Sequence, residues 1–365
     1  MKVWRNILHP HHITSFFVNP SWCLLYPEVK VSHLTRCRLD HCPVLLELQP
    51  TGWSYRYRPF KFQRFWLSDV TFPKVVENAW VRSSGLNEAI DTFQREATAW
   101  NKSHFGNIFA RKRKIMARLN GIQRVVAVRP SSSLLDLENN LLKELDVELG
   151  QEQDLWTLKL RINWMVQGDR NTAFFHVSAL ACRKRNQILA IKNGVGEWLY
   201  AEAEIMEYIR KGFIDIYTSS SISSDRVQSG HSQWQACLLE EEKESLGSLV
   251  TEDEIKAALW SLKAFKAPGP DGLHAGFFQQ FWPSVGNSVV KVVKKTFRER
   301  KISAKLNQTH IVLIPKIQGL ETLGNYRPIS LYNTTYKIAT KIIVARLRPF
   351  LENLISPLQS AFVPG

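Results

Sequence analysis

Hydrophobic and polar positions along the chain divide it into stretches of different period. Val29-Lys30-Val31-Ser32-His33-Leu34 alternates, and Pro43-Val44-Leu45-Leu46-Glu47-Leu48 is a short apolar run after a polar turn. Both suit neighbouring strands of one sheet. Pro50, Thr51 and Gly52 end that pattern. From Leu86 the period becomes helical. Leu86, Ile90, Phe93, Ala97 and Trp100 mark one face, and the same helix is expected to run on into Arg111-Lys112-Arg113-Lys114. Pro130 and Ser131-Ser132-Ser133 form a turn, after which Leu134, Leu137, Leu141, Leu145, Leu149 and Trp156 set a second stripe. Two such helices joined by a short turn predict a long antiparallel hairpin.

Residues 218–233 are rich in serine and read as a linker. Thr251-Glu252-Asp253-Glu254 has the spacing of a capping box, with Ile255, Ala258, Leu259 and Leu262 as the buried stripe behind it. Lys266-Ala267-Pro268-Gly269-Pro270-Asp271-Gly272 excludes both helix and central strand and predicts a rigid loop entering a helix at Phe277-Phe278. Asp271 within Pro-Asp-Gly is turn chemistry. Ile311-Val312-Leu313-Ile314 and Tyr326-Arg327-Pro328-Ile329-Ser330-Leu331 predict two strands. A last helix is expected from Tyr336 to about Leu354, with Ile338, Ile342, Ala345 and Leu347 on one side. The pattern predicts an α+β chain, mainly α. It has a short strand remnant at the N-terminus, a long antiparallel helical hairpin, and then a small β-hairpin. No stretch has the uncharged apolar length of a membrane span, and the first residues lack a signal-peptide core.

Composition adds a partner class. The 365 residues are 44% hydrophobic and 11% aromatic, a globular balance. Lys+Arg number 48 against Asp+Glu 33, a net charge of +15. Such an excess favours polyanions, RNA and DNA above all. The dense run at Arg111–Lys114 marks Lys112 and Lys114 as candidate nucleic-acid contacts; a solvated helix face is the alternative reading. Residues 53–66 interleave rings and cations (Trp53, Tyr55, Arg56, Tyr57, Arg58, Phe60, Lys61, Phe62, Arg64, Phe65, Trp66). They read either as a base-stacking strip or as a strand docking its rings onto the core. The five cysteines include no CxxC pair, and Cys37 and Cys42 beside His33 and His41 fit no zinc spacing. No metal site is expected.

Several blocks carry a resemblance to known families. Ala267-Pro268-Gly269-Pro270-Asp271-Gly272, Ile311 to Lys316, Asn325 to Leu331, and Gln359-Ser360-Ala361-Phe362-Val363-Pro364-Gly365 occur in that order. They resemble the opening of the reverse transcriptase domain of plant non-LTR, LINE-type retrotransposons. Trp164-Met165-Val166-Gln167-Gly168-Asp169-Arg170-Asn171-Thr172-Ala173-Phe174-Phe175-His176, continued by Arg183 and Asn186-Gln187-Ile188, resembles the segment between endonuclease and polymerase in the same proteins. Read without the family, Asp169 or Asn171 caps a helix and His176 is a core or nucleic-acid-facing residue. Leu39-Asp40-His41-Cys42-Pro43-Val44-Leu45-Leu46 resembles the closing motif of the endonuclease/exonuclease/phosphatase family. By that match His41 is the catalytic histidine and Asp40 its carboxylate neighbour. Leu39 stands where the family has serine, and the family's other catalytic residues lie farther upstream than this sequence reaches. A remnant without nuclease activity is expected.

The resemblance covers residues from about 22 to 365 and implies a division of the chain. Residues 1–50 are the end of the nuclease domain, 51–217 a helical linker region, 218–250 a Ser-rich linker and connecting helix, and 251–365 the fingers part of the polymerase without its palm. It implies that Lys316 and Arg327 contact the nucleotide triphosphate, a suitable pair for several negative charges. Arg327 as a mere anchor of the hairpin is the alternative. It implies backbone contacts to nucleic acid from Lys337, Lys341 and Arg346, and Arg183 and Lys184 of Arg183-Lys184-Arg185 join them. Two-metal phosphoryl transfer needs converging carboxylates. From Ala264 to Gly365 the acids are Asp271, Glu299, Glu321 and Glu352, none paired. Mg²⁺ serves the full-length family, but no cofactor is expected in this chain, and no polymerase activity of its own. A stand-alone basic nucleic-acid-binding remnant and a pseudogene product are the alternatives. The family's way of life and the charge imply a nuclear location.

Overall fold

The computed structural model describes residues 2–4, 16–18, 22, 25–26, 29–33, 44–48, 59–160, 178–182, 186–218, 238–317 and 321–355. Near the N-terminus, β1 (Lys2–Trp4) pairs antiparallel with β2 (Phe16–Val18). β3 (Lys30–His33) pairs antiparallel with β4 (Val44–Glu47), with Val31 opposite Leu46 and His33 opposite Val44. The alternating stretch and the apolar run are therefore neighbours, as their pattern predicts. Asp40 and His41 fall outside the described residues, as do the 164–176 block, Arg183, Lys184, the Ser-rich stretch from 219 and residues 356–365.

The helical linker departs from expectation at one point. Helix α1 (Phe72–Val81) precedes α2 (Leu86–His104), and α2 does not continue into the basic run. Gly106 has φ +59, a left-handed conformation that glycine adopts without steric cost. Asn107 then caps a new helix, its side chain accepting from the N–H groups of Phe109 and Ala110. That helix, α3 (Ile108–Val128), pairs with α4 (Ser132–Leu160) across the Ser131 turn. Ile115, Leu119 and Leu141 are its buried seam. The hairpin exists, but its first arm begins at Ile108 rather than Leu86, while α2 packs on α1.

Helices α1 and α2 belong instead to the main core. Phe62, Phe72, Phe93, Phe277 and Phe278 are at most 1% exposed and meet in one cluster with Trp66, Leu273 and Ile338. The rings of Phe93 and Phe277 lie 4.9 Å apart, and those of Phe62 and Phe277 lie 5.3 Å apart. Three of the indoles that reach this core keep a hydrogen-bond acceptor. Trp66 donates to Asn101 (2.9 Å), Trp80 to Ser288 (3.0 Å) and Trp100 to Thr71 (3.1 Å). Phe→Ala at Phe277 would cost about 3–5 kcal/mol by lost burial and cavity. Of the two readings of the aromatic strip, residues 59–66 follow the docking one: Phe62, Phe65 and Trp66 are buried.

The C-terminal part supplies the other half of that core. After α5 (Glu202–Tyr217) and α6 (Glu240–Gly247) comes α7 (Glu252–Trp260). Its capping box is reciprocal: Glu254 N–H donates to Thr251 Oγ1 (3.2 Å) and Thr251 N–H to Glu254 Oε2 (2.9 Å). The Pro-Gly-rich loop leads into α8 (Ala275–Gln280) and α9 (Trp282–Glu299). β7 (Thr309–Pro315) and β8 (Tyr326–Tyr332) form an antiparallel hairpin with Ile314 opposite Arg327. α10 (Thr334–Leu347) follows. It stops short of Leu354 because Pro349 breaks the ladder; a 3₁₀ turn at Arg348–Phe350 and the short α11 (Leu351–Leu354) replace the expected last turns. The fold is α+β and mainly α, with strands only in two-stranded antiparallel sheets among the described residues.

Candidate nucleic-acid interface

The β7–β8 hairpin is the centre of the candidate site, and its two faces differ. Leu313 and Tyr326 share one face and pack against Ile191, Ile205, Tyr208 and Ile209. Those partners come from α5 and from a small sheet of β5 (Ile191–Lys192) and β6 (Trp198–Leu199). The other face carries His310, Val312, Ile314 and Lys316 along one strand and Leu331, Ile329 and Arg327 along its partner. Lys316 and Arg327 are both exposed on this open face, beside exposed Val312 and Ile329. Arg327 faces Ile314, and Lys316 lies two residues beyond Ile314, so the two cations are diagonal neighbours.

The tip of the hairpin is held tightly. Asn325 Oδ1 accepts from the N–H groups of Glu321 (3.3 Å) and Thr322 (2.9 Å) and from the Thr322 hydroxyl (3.0 Å). Lys316 N–H donates to Asn325 O (2.9 Å), and Lys316 Nζ to Gly324 O (2.8 Å). Lys192 grips the tip from the other side. Its backbone N–H donates to Glu321 O, and its Nζ to Glu321 Oε2, both at 2.6 Å. Sequence reasoning missed this brace, because its partners are 129 residues apart.

The Pro-Gly loop anchors the base of the same hairpin. Gly272 has φ +70, and a Cβ there would run into the backbone of Phe60. Phe62 N–H donates to Gly272 O (3.0 Å), which ties the 59–66 segment to the loop. Asn333, between β8 and α10, accepts from Asp271 N–H (3.1 Å). Thr334 Oγ1 donates to Leu273 O (3.1 Å), and Lys337 Nζ to Ala267 O (3.2 Å). The Asp271 carboxylate accepts from Leu273 N–H (3.0 Å), the turn role its sequence implies. Burial pushes Asp271 up to about 6, against that hydrogen bond and the positive charge of Lys337.

The remaining candidates separate by what they touch. Arg346 is a correction. All five of its N–H donors are engaged: Nε and Nη2 on the Glu254 carboxylate (2.8 and 2.9 Å), the others on the carbonyls of Leu246, Ser248 and Leu249. It clamps α10 to α6 and α7 and has no donor left for a phosphate. The hydrogen bond from Arg346 holds the Glu254 carboxyl below the usual range. Lys112 pairs with buried Glu152 (2.7 Å), and Arg111 beside it with buried Glu148 (2.5 Å), so half of that basic run is turned into the α3–α4 seam. Lys114 is exposed. Lys337 is half-buried on the loop, whereas Lys341 is exposed on α10.

Three of the C-terminal acids are taken up by local partners. Asp271 closes its own turn, Glu321 is held by Lys192, and Glu299 lies 3.9 Å from both Lys295 and Arg298. Among the described residues no group of three or more His, Cys, Asp or Glu side chains is placed to hold a metal. No helix among them is long and apolar enough to cross a membrane.

The chain that carries this two-cation hairpin on its Pro-Gly loop has relatives among the proteins of transposable elements. The chain is similar to the transposon TX1 uncharacterized 149 kDa protein of Xenopus laevis, 30% identical over 210 residues. It is also similar to the retrovirus-related Pol polyprotein from the type-1 retrotransposable element R1 of Bradysia coprophila, 29% identical over 118 residues. These matches take in 57% and 31% of the chain, but only 16% and 12% of the two relatives' lengths. They support an origin in a non-LTR, LINE-type retrotransposon. No protein-family model matches the chain.

Proposed function

We propose that the chain is the nucleotide-contacting part of an RNA-directed DNA polymerase from a LINE-type element, and that it does not polymerise alone. The observation that carries this reading is the pairing of Lys316 and Arg327 on the open face of a braced hairpin. A triphosphate presents several negative charges to one spot, and two cations on adjacent strands meet them with charge-assisted hydrogen bonds. The apolar neighbours Val312 and Ile329 offer a surface on which a sugar or base can rest. RNA and DNA are the expected partners, in the nucleus, and the plant affiliation rests on the resemblance of the blocks at residues 164–188 and 267–365.

The inactivity proposed for the chain is supported by the surroundings of three of its C-terminal acids. Asp271, Glu299 and Glu321 are each held by local partners rather than converging on one point. The test has two arms. Photo-cross-linking of a labelled deoxynucleoside triphosphate should label the wild-type chain. The double variant Lys316→Ala/Arg327→Ala should lose about tenfold or more of that labelling, the loss expected from two charge-assisted contacts. Labelling unaffected by the double variant would contradict the reading. Primer extension on an RNA template with Mg²⁺ should give no product, and any templated product would overturn the claim of inactivity.

A further inference from the structure

The helix α9 carries a cation face that the hairpin does not use. Val285, Val289, Val290 and Val293 turn into the core. On the solvent side Lys291, Lys294, Lys295 and Arg298 are all exposed, at the spacing i, i+3, i+4, i+7 that places them on one face. Arg300 and Lys301 extend the patch past the helix end, and both are exposed. One carboxylate answers these six cations: Glu299, 3.9 Å from Lys295 and from Arg298. Lys291, Lys294, Arg300 and Lys301 have no carboxylate partner among the described residues.

A second observation points the same way. Arg300 occupies the helix C-cap with φ 52 and ψ 28, the left-handed region. Among the described residues it is the one non-glycine with positive φ. Helices ending in this conformation use glycine, because a Cβ is penalised there. Here the chain accepts that cost to keep a guanidinium at the end of the cation face.

We infer that this face of α9, from Lys291 to Lys301, is a binding surface for the phosphate backbone of a nucleic acid. The charge is complementary to a polyphosphate. A partner helix or a lipid interface would need apolar residues, and those of α9 are spent on the core. The four helical cations span seven residues, about 10 Å along the axis, enough to meet two successive phosphates of one strand. Arg300 and Lys301 then reach a third. Such contacts carry no sequence information; they hold the strand in register while other elements read or process it. The inference rests on the reading of the chain as one that handles nucleic acid, but it places a contact on an element distinct from the hairpin.

The test is the salt dependence of binding, measured on the full chain by fluorescence anisotropy with a labelled single-stranded RNA and a DNA of the same sequence. Lys291→Gln/Lys294→Gln/Lys295→Gln/Arg298→Gln is expected to keep its thermal unfolding midpoint and to lower the slope of log K against log salt by about 1.5, the value for two phosphates of a single strand. Arg300→Gly is expected to unfold at a higher temperature than wild type and yet to bind more weakly, with a slope smaller by about one. Unchanged slopes in a folded quadruple variant would overturn the inference, and so would unchanged binding by Arg300→Gly. If those slopes are unchanged while triphosphate labelling at the hairpin persists, only this inference fails. If the wild-type chain shows no salt-dependent binding, the reading of the chain fails with it.

Discussion

The cations of α3 and those of α9 look alike in sequence and differ in structure. Arg111-Lys112-Arg113-Lys114 is the densest basic run, yet Arg111 and Lys112 are matched to buried Glu148 and Glu152 on the facing helix. Lys291, Lys294, Lys295 and Arg298 are spread over two turns and share one acid between them. Arg111 and Lys112 of the first group tie two helices together. The second group stands in water with one carboxylate near four cations. Charge density along a chain therefore does not show which cations stay unmatched after folding. Arg346 and Lys341 repeat the contrast within α10, one fully engaged and the other exposed.

The largest expected effect is at the matched end of this comparison. Arg346→Ala removes five hydrogen bonds and leaves Glu254 facing carbonyls of the α6–α7 connection. Denaturant unfolding should show a loss of about 3–5 kcal/mol, while RNA binding by the folded fraction should keep its salt slope. A stable variant with a reduced slope would place Arg346 among the nucleic-acid contacts after all.

Asp271 applies the same logic to an acid. Its folded value of about 6 stands above the ordinary aspartate value of 3.8, so the native state binds the proton more tightly than the unfolded chain does. Its stabilising contribution is present below pH 4 and is lost as pH rises through about 6. Asp271→Asn keeps an acceptor for Leu273 N–H and removes the charge. It should gain up to about 3 kcal/mol at neutral pH and nothing below about pH 4. A stability difference independent of pH would sink this account of the loop.

The smallest effect belongs to the unmatched end. Lys341→Ala is expected to change stability by less than about 0.5 kcal/mol, because no described partner loses a contact. A larger loss by thermal unfolding would show that Lys341 is structural, and the contrast within α10 would collapse.

Much of the fold was legible where pattern and turn chemistry agree. The β3–β4 pair, the Thr251–Glu254 capping box, the rigid loop at 266–272 and the β7–β8 pairing all follow from local residues. The break at Gly106-Asn107 had a local signal, a left-handed glycine before a capping asparagine, but the apolar stripe on either side concealed it. Helix α9 also had one, in Val285, Val289, Val290 and Val293. What pattern cannot show is pairing between distant segments. The joining of residues 60–105 to residues 250–342 in one core depends on rings whose partners lie far along the chain. The Lys192–Glu321 brace and the Arg346–Glu254 clamp are of the same kind, and they decide which cations remain free.

The most direct measurement compares the two basic regions on one RNA. Binding is followed against salt for Arg111→Gln/Lys112→Gln and for the quadruple glutamine variant of α9, with unfolding recorded for both. The account predicts that the α3 pair lowers stability, by leaving Glu148 and Glu152 buried without their cations, and keeps the wild-type slope. It predicts that the α9 variant keeps its stability and loses about 1.5 from the slope. A slope that falls in the α3 pair and holds in the α9 variant would contradict it.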